Sequence, residues 1–122
     1  MVERFKGQEI YSLPVIEIIP PETSDYFDRT NKYDGSTEEI CPGRFSEAEK
    51  AELEKTAADV HRVLGLRQYS RSDFIVADDG VYFLEVNTLP GLTPTSLLPL
   101  SIKTIGSSYL EFITHLLNDA TN

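Results

Sequence analysis

The sequence is short of cysteine, of basic charge and of long apolar runs, and each shortage closes off a class of protein. Cysteine occurs once, at Cys41, so an internal disulfide and a multi-cysteine metal site are excluded and the residue reads as a buried structural thiol. Neither His61 nor His115 stands in a motif that would make that thiol a nucleophile. Eleven basic residues face twenty acidic ones, a net charge of -9. Such a balance opposes binding to nucleic acid or to an anionic membrane, while leaving room for a local basic site for phosphate. No apolar run approaches the roughly 20 residues of a membrane span, and Met1-Val-Glu-Arg-Phe carries no signal-peptide pattern. A cytoplasmic protein is expected. Internal repeats, low-complexity tracts and interdomain linkers are missing too.

What is present suits one domain. The 122 residues, 40% of them apolar, are enough to bury roughly two-thirds of the unfolded surface. Two capped helices stand out. Ser46 to Leu64 has Ser46 and Glu49 as a capping box, Leu53, Ala57, Val60 and Leu64 on one face, and Gly65 as its stop. Ser108 to Asn118 pairs Ser108 with Glu111 and carries Leu110, Ile113 and Leu117 as a stripe, with Asp119 to Asn122 expected to fray. Ile10 to Ile19 is β-branched enough for a strand ended by Pro20-Pro21. Pro21 to Arg44 has neither helical nor strand periodicity, and loops of that length inside a domain are usually functional or disordered.

The chemistry concentrates in Tyr82 to Ser96, a strand that runs into a loop at Pro90-Gly91. Alternation sets Phe83, Glu85 and Asn87 on one face. The preceding strand, Tyr69 to Ala77, sets Tyr69, Arg71, Asp73 and Ile75 on one face. A three-residue loop Asp78-Asp79-Gly80 would place Ile75 opposite Phe83, Asp73 opposite Glu85 and Arg71 opposite Asn87, whereas a two-residue loop would separate the polar groups. Opposed carboxylates about 5 Å apart repel unless positive charge lies between them. A hard cation such as magnesium would answer that, since it takes carboxylates together with phosphate oxygens; so would Arg71 acting as counter-ion. An acid and an amide on the wet face of an edge strand is the plainer alternative. After Thr93 a short helix is expected to begin near Ser96, which serves either as an ordinary cap or as part of a carboxylate site.

Arg71-Ser-Asp73-Phe followed by Leu84-Glu85-Val-Asn87-Thr-Leu-Pro90-Gly91-Leu-Thr-Pro-Thr-Ser96 resembles the C-terminal part of the ATP-grasp domain of D-alanine–D-alanine ligases. The likeness extends through Lys32-Tyr33 and Ile40-Cys41-Pro42 to Val2-Glu3-Arg4-Phe5, essentially the whole chain. It implies an α+β fold, an antiparallel sheet packed with helices, as a single partial domain over 1–122 that lacks the N-terminal and central lobes. It implies Mg2+ (or Mn2+) held by Asp73, Glu85 and Asn87. ATP as co-substrate would meet Glu3, Arg4, Glu9, Lys32 and Leu84, and D-alanine would meet Tyr33, Gly91, Ser96 and Leu97. Arg71, Gly91 and Tyr33 would be catalytic, through an acyl phosphate attacked by an amine. Tyrosine after Lys32 resembles the ligases that make D-alanyl-D-alanine rather than D-alanyl-D-lactate. Between Gly7 and Pro14 the chain departs from the family, being shorter there than its usual strand and hairpin. The expected partners are ATP, D-alanine and either a second copy or a missing ligase lobe. A non-catalytic binding or assembly module, and another carboxylate–amine ligase of the ATP-grasp superfamily, are the alternatives.

Overall fold

The computed structural model describes residues 1–21 and 37–122, and within them the expected α+β class is found. Six strands and three helices occur among these residues: β1 Val2–Glu3, β2 Ile10–Tyr11, β3 Glu17–Ile19, β4 Glu38–Ile40, α1 Glu47–Val63, β5 Arg71–Ala77, β6 Gly80–Asn87, α2 Leu97–Thr104 and α3 Tyr109–Thr121. The strands form three separate antiparallel ribbons, β1–β2, β3–β4 and β5–β6, rather than one sheet. The single strand expected over Ile10 to Ile19 is divided, with the five residues Ser12 to Ile16 between β2 and β3. Proline has no N–H for a ladder, and Leu13 is drawn into the core instead. Part of the expected Pro21 to Arg44 loop is also ordered into a ladder, since Glu38, Glu39 and Ile40 pair with Ile19, Ile18 and Glu17.

The core gathers Val2, Phe5, Leu13, Tyr69, Leu98, Ile102 and Phe112. Phe112 is its centre. Its ring stands edge-on to Tyr69 at 5.7 Å and to Phe5 at 6.4 Å between centroids, the arrangement aromatic quadrupoles prefer. Both capping boxes form: the Ser46 hydroxyl accepts from the Glu49 amide and Ser108 from Glu111, each acid reaching back to the cap's own N–H. Gly65 ends α1 at φ +61°, with its N–H bonded to the Arg62 carbonyl and the Leu66 N–H to that of His61, which satisfies two carbonyls left open by the last turn.

The buried faces of the helices differ from the expected ones. On α1 the inward residues are Leu53, Ala57 and His61, one every fourth position, while Leu64 is 57% exposed. On α3 the expected stripe is divided, Leu110 and Leu117 being 74% and 63% exposed while Ile113 packs against the core beside the buried Phe112. Nor does the C-terminus fray at Asp119. Helix α3 continues to Thr121, and the Asp119 carboxylate, almost wholly buried, is paired with Arg4.

The hairpin reaches its expected pairs by another route. The loop is two residues, Asp78-Asp79, with Ala77 opposite Gly80, Ile75 opposite Tyr82 and Phe74 opposite Phe83. Continued unbroken, that register would set Asp73 against Leu84. A bulge between Asp73 and Phe74 moves the ladder by one residue, so Asp73 faces Glu85, Ser72 faces Val86 and Arg71 faces Asn87. The bulge accommodates Leu84 as the extra residue. It also separates Phe83 from the Glu85 face, since Phe83 pairs with Phe74, the neighbour of Asp73; the two rings meet edge-on at 5.7 Å.

Candidate functional site

Arg71, Asp73, Glu85 and Asn87 come together on one face of the β5–β6 ribbon through this ladder. The Arg71 guanidinium forks onto Asp73, Nε to Oδ1 at 2.8 Å and a terminal nitrogen to Oδ2 at 3.0 Å. The Asp73 carboxylate, by these bonds, holds the Arg71 pKa above its ordinary value, with Glu85 adding a smaller push in the same direction. Arg71 thus meets part of the charge problem itself, because one guanidinium stands beside two carboxylates. The Glu85 carboxylate makes no hydrogen bond or ion pair among the described residues. Asn87 is turned to the chain beyond the strand, where its Oδ1 accepts from the Leu89 N–H at 3.0 Å. No group of three or more His, Cys, Asp or Glu residues is set to hold a metal among the described residues; the ribbon offers two carboxylates and an amide.

The turn that follows is built around a hydroxyl. Ser96 is the N-cap of α2, yet its side chain makes no capping bond. Its Oγ is turned back to Thr93, 2.7 Å from Thr93 Oγ1 and accepting from the Thr93 N–H at 3.2 Å. Gly91 lies against the same oxygen, and a Cβ there would come within 2.8 Å of Ser96 Oγ. This close approach favours glycine as long as the Ser96 hydroxyl keeps its place. Since Ser96 leaves the helix start uncapped, the amides of Leu97 and Leu98 remain donors that no side chain among the described residues serves, while Pro99 has none to offer. Leu97 itself is buried.

The other expected contacts lie apart. Glu3 points inward: its Oε2 accepts from the Gln68 N–H at 2.8 Å, with Arg67 Nε at 3.5 Å and His61 Nε2 3.8 Å from Oε1. Gln68 has φ +62°, unusual for a residue with a side chain, and this bond helps hold it there. Arg4 is drawn to Asp119. Glu9 and Leu84 are exposed. Lys32 and Tyr33 lie outside the described residues.

Two residues of the site region escaped the sequence reading. Thr93, three positions before Ser96, had the spacing of a hydroxyl turn as its only signal. His61 follows Leu53 and Ala57 at the helical repeat, so the signal existed but concerned a polar residue. It is buried against Ser70, immediately before β5, with Nδ1 and Oγ 2.7 Å apart. Burial lowers the His61 pKa, against the opposing pull of Glu3.

Comparison with known proteins gives one consistent family. The family described as "D-ala D-ala ligase C-terminus" matches residues 5–118. A D-alanine–D-alanine ligase of Maridesulfovibrio salexigens is 45% identical over 107 residues, covering 86% of this chain and 35% of that protein. One of Halalkalibacterium halodurans is 47% identical over 116 residues, 93% of this chain and 37% of its own length. Among solved structures, a D-alanine–D-alanine ligase from Bacillus anthracis complexed with ATP has a TM-score of 0.73 at 33% identity, over 89% of this chain and 35% of that one. The D-alanyl-alanine synthetase A of Vibrio cholerae has a TM-score of 0.78 at 28% identity, over 99% and 36%. The chain therefore spans a little over a third of the relatives it matches.

Proposed function

The chain belongs to the family described as D-ala D-ala ligase C-terminus, and from that premise we propose that it forms the metal-binding and acceptor-binding side of an ATP-dependent D-alanine–D-alanine ligation site, serving peptidoglycan precursor synthesis in the cytoplasm. The observation that carries this reading is the bulge that sets Asp73 opposite Glu85 and Arg71 opposite Asn87. Opposed acids cost a ribbon stability, so their pairing is best explained by what they bind.

The donor set suits a hard cation. Each Asp73 oxygen spends one lone pair on Arg71 and keeps another, Glu85 is open, and Asn87 retains acceptor capacity beyond its Leu89 bond. Mg2+ or Mn2+ bound by Asp73, Glu85 and Asn87 would neutralise charge building on phosphoryl oxygens. In the reaction, the carboxylate of one D-alanine takes the terminal phosphoryl group of ATP and releases ADP, and the amine of a second attacks the acyl carbon, gives up a proton and expels phosphate. Arg71 and the Gly91 amide stabilise the oxyanion of that attack. Ser96 and the Leu97 amide receive the carboxylate of the second D-alanine, and Tyr33 orients the amino acids. Lys32, Leu84, Glu9, Arg4 and Glu3 form the nucleotide side, where Glu3 and Arg4 must exchange their Gln68 and Asp119 bonds for any side-chain contact to the nucleotide.

Because the relatives are about two and a half times as long, the isolated chain is expected to bind Mg-ATP weakly and to turn over only with further lobes supplied. The test is calorimetric Mg-ATP binding, together with phosphate release with and without D-alanine, in the chain and in Glu85→Gln. Weaker binding in Glu85→Gln supports the assignment; unchanged binding sinks it.

A second reading, a module that assembles with another chain, is favoured by one feature. Tyr82, Phe83 and Leu84 are all exposed on β6, and Phe83 joins Val60, Val63 and Leu64 in an open apolar groove beside α1. Contiguous apolar surface of this kind commonly marks an interface. Sedimentation over a wide concentration range tests it, a strict monomer counting against self-assembly.

A further inference from the structure

Helix α1 sends one polar side chain into the interior, and it lands at the joint between two strands. His61 and Ser70 are 1% and 0% exposed, and His61 Nδ1 lies 2.7 Å from Ser70 Oγ. Ser70 is also where β1 is stitched to the start of β5. Its N–H donates to the Met1 carbonyl at 3.0 Å, its carbonyl accepts from the Met1 amine at 2.9 Å, and the Glu3 N–H donates to the Gln68 carbonyl at 2.7 Å. The other edge of the imidazole faces Glu3. His61 Nε2 has no hydrogen-bond partner and stands 3.8 Å from Glu3 Oε1.

That geometry fixes the tautomer. A bare lone pair on Nε2 would face a carboxylate, whereas an N–H there is attracted to it; the proton therefore belongs on Nε2. Nδ1 is then the acceptor and the Ser70 hydroxyl the donor. An apolar side chain of similar volume would fill the space but leave the buried Ser70 hydroxyl without its acceptor. The pair serves orientation better than it serves packing.

We propose that His61 is a positioning residue, which through Ser70 and Glu3 fixes the strand bearing Arg71 and Asp73 against the strand bearing Glu3 and the turn at Arg4 that follows it. Ser70 immediately precedes Arg71, so the direction of its hydroxyl bond sets how β5 begins. Protonation of His61 would turn Nδ1 into a donor and force Ser70 to accept. The charged groups around the ring are Glu3 on β1, the Met1 amine, Arg62 on α1 itself and Arg67, which reaches Glu3 from the connection to β5. The bearing of this device on ligation rests on the roles proposed above for Arg71 and Asp73.

The test reads the Arg71 Nε–H resonance of the intact 122-residue chain, since that proton bonds to Asp73. In the wild type, the resonance is expected to shift with acid at the same midpoint as the His61 ring signals. His61→Phe should displace it at neutral pH and abolish the acid step. His61→Asn, whose amide reaches the place of Nδ1, should restore the neutral-pH position without the step. Leu53→Ala, buried on the same helix, should lose stability and keep the step. An Arg71 signal blind to the His61 titration overturns the proposal, as does an equal displacement in Leu53→Ala. If His61→Phe does not fold, the wild-type titration decides alone. Mg-ATP affinity is expected to fall about tenfold in His61→Phe, the worth of one net hydrogen bond. A wild-type chain that binds no Mg-ATP would remove the ligase reading and leave the Arg71 signal to judge His61.

Discussion

Substituting Gly91 by alanine tests the turn at its tightest point. The new Cβ would stand 2.8 Å from Ser96 Oγ, closer than carbon and oxygen tolerate, and the oxygen has only one way to yield. Rotation about the Ser96 Cα–Cβ bond releases it from Thr93 Oγ1 at 2.7 Å and from the Thr93 N–H at 3.2 Å. Each bond is worth about 0.5–1.5 kcal/mol net. Thr93 is exposed, so water replaces part of the loss and the low end of that range applies, about 1–2 kcal/mol for the two. Against this stands a gain of about 0.4–1 kcal/mol, because alanine restricts the unfolded chain more than glycine does. Gly91 is not among the residues with positive φ, so no backbone strain is added. The expected net effect of Gly91→Ala is a loss of about 1 kcal/mol.

The sign should reverse when the oxygen is absent. In a Ser96→Ala background no hydroxyl opposes the new methyl group, and the remaining neighbour, Ser96 Cβ at 3.7 Å, is in ordinary contact. Gly91→Ala should then stabilise by about 0.4–1 kcal/mol, giving a coupling near 1–2 kcal/mol between the two sites. Urea unfolding of the four proteins at one pH measures all of these. Equal destabilisation by Gly91→Ala in both backgrounds would refute the account, since the clash would then not be with Ser96 Oγ.

Three further outcomes follow from packing and charge. Leu53→Ala should cost about 2–5 kcal/mol and Leu64→Ala about 0.5 kcal/mol or less, because the first is buried and the second mostly exposed; denaturant midpoints compare them directly. Stability should fall in mild acid. Burial holds the His61 pKa below its ordinary 6.5, so the unfolded chain binds more protons there; this share of the stability is full above that value and is lost as pH falls below it. Unfolding curves on either side of that pH check this, and His61→Phe should flatten the dependence. Asp119→Asn should loosen the end of α3, seen as faster amide exchange at Asn118 to Thr121 with little change around Phe112, because the Arg4 ion pair is what ties that end down.

The parts legible in the sequence were those governed by short-range rules. Both capping boxes and the Gly65 stop depend on residues within four positions of one another, and local hydrogen-bond geometry decides them; the start of α2 at Ser96 is also where it is expected, although the Ser96 side chain does not cap it. The faces of the helices were not of this kind. Helix α3 offers two apolar stripes, one through Leu110, Ile113 and Leu117 and one through Phe112 and Leu116, and periodicity ranks them alike. The choice is made by Phe5 and Tyr69, which come from distant parts of the chain. On α1 the inward face includes a histidine, so a search for apolar residues rotated the helix towards Leu64. The buried imidazole becomes intelligible only when Ser70 and Glu3 are seen beside it.

The hairpin is the most instructive case, because the expected pairing of Asp73 with Glu85 holds although the loop expected to produce it does not form. A two-residue loop and a bulge at Leu84 together consume the same number of residues as a three-residue loop, so the register beyond Asp73 is identical. The difference appears only between them, where Phe74 to Ala77 each face a residue one position earlier on β6 than expected. Nothing in Leu84 announces a bulge, since it lacks the glycine that would mark a left-handed position. Its effect is to let Phe83 turn towards Phe74 and the α1 groove while Glu85 stays with Asp73. One extra residue thus allows an apolar packing face and an acidic pair to coexist on a strand whose strict alternation would have placed Phe83 and Glu85 together.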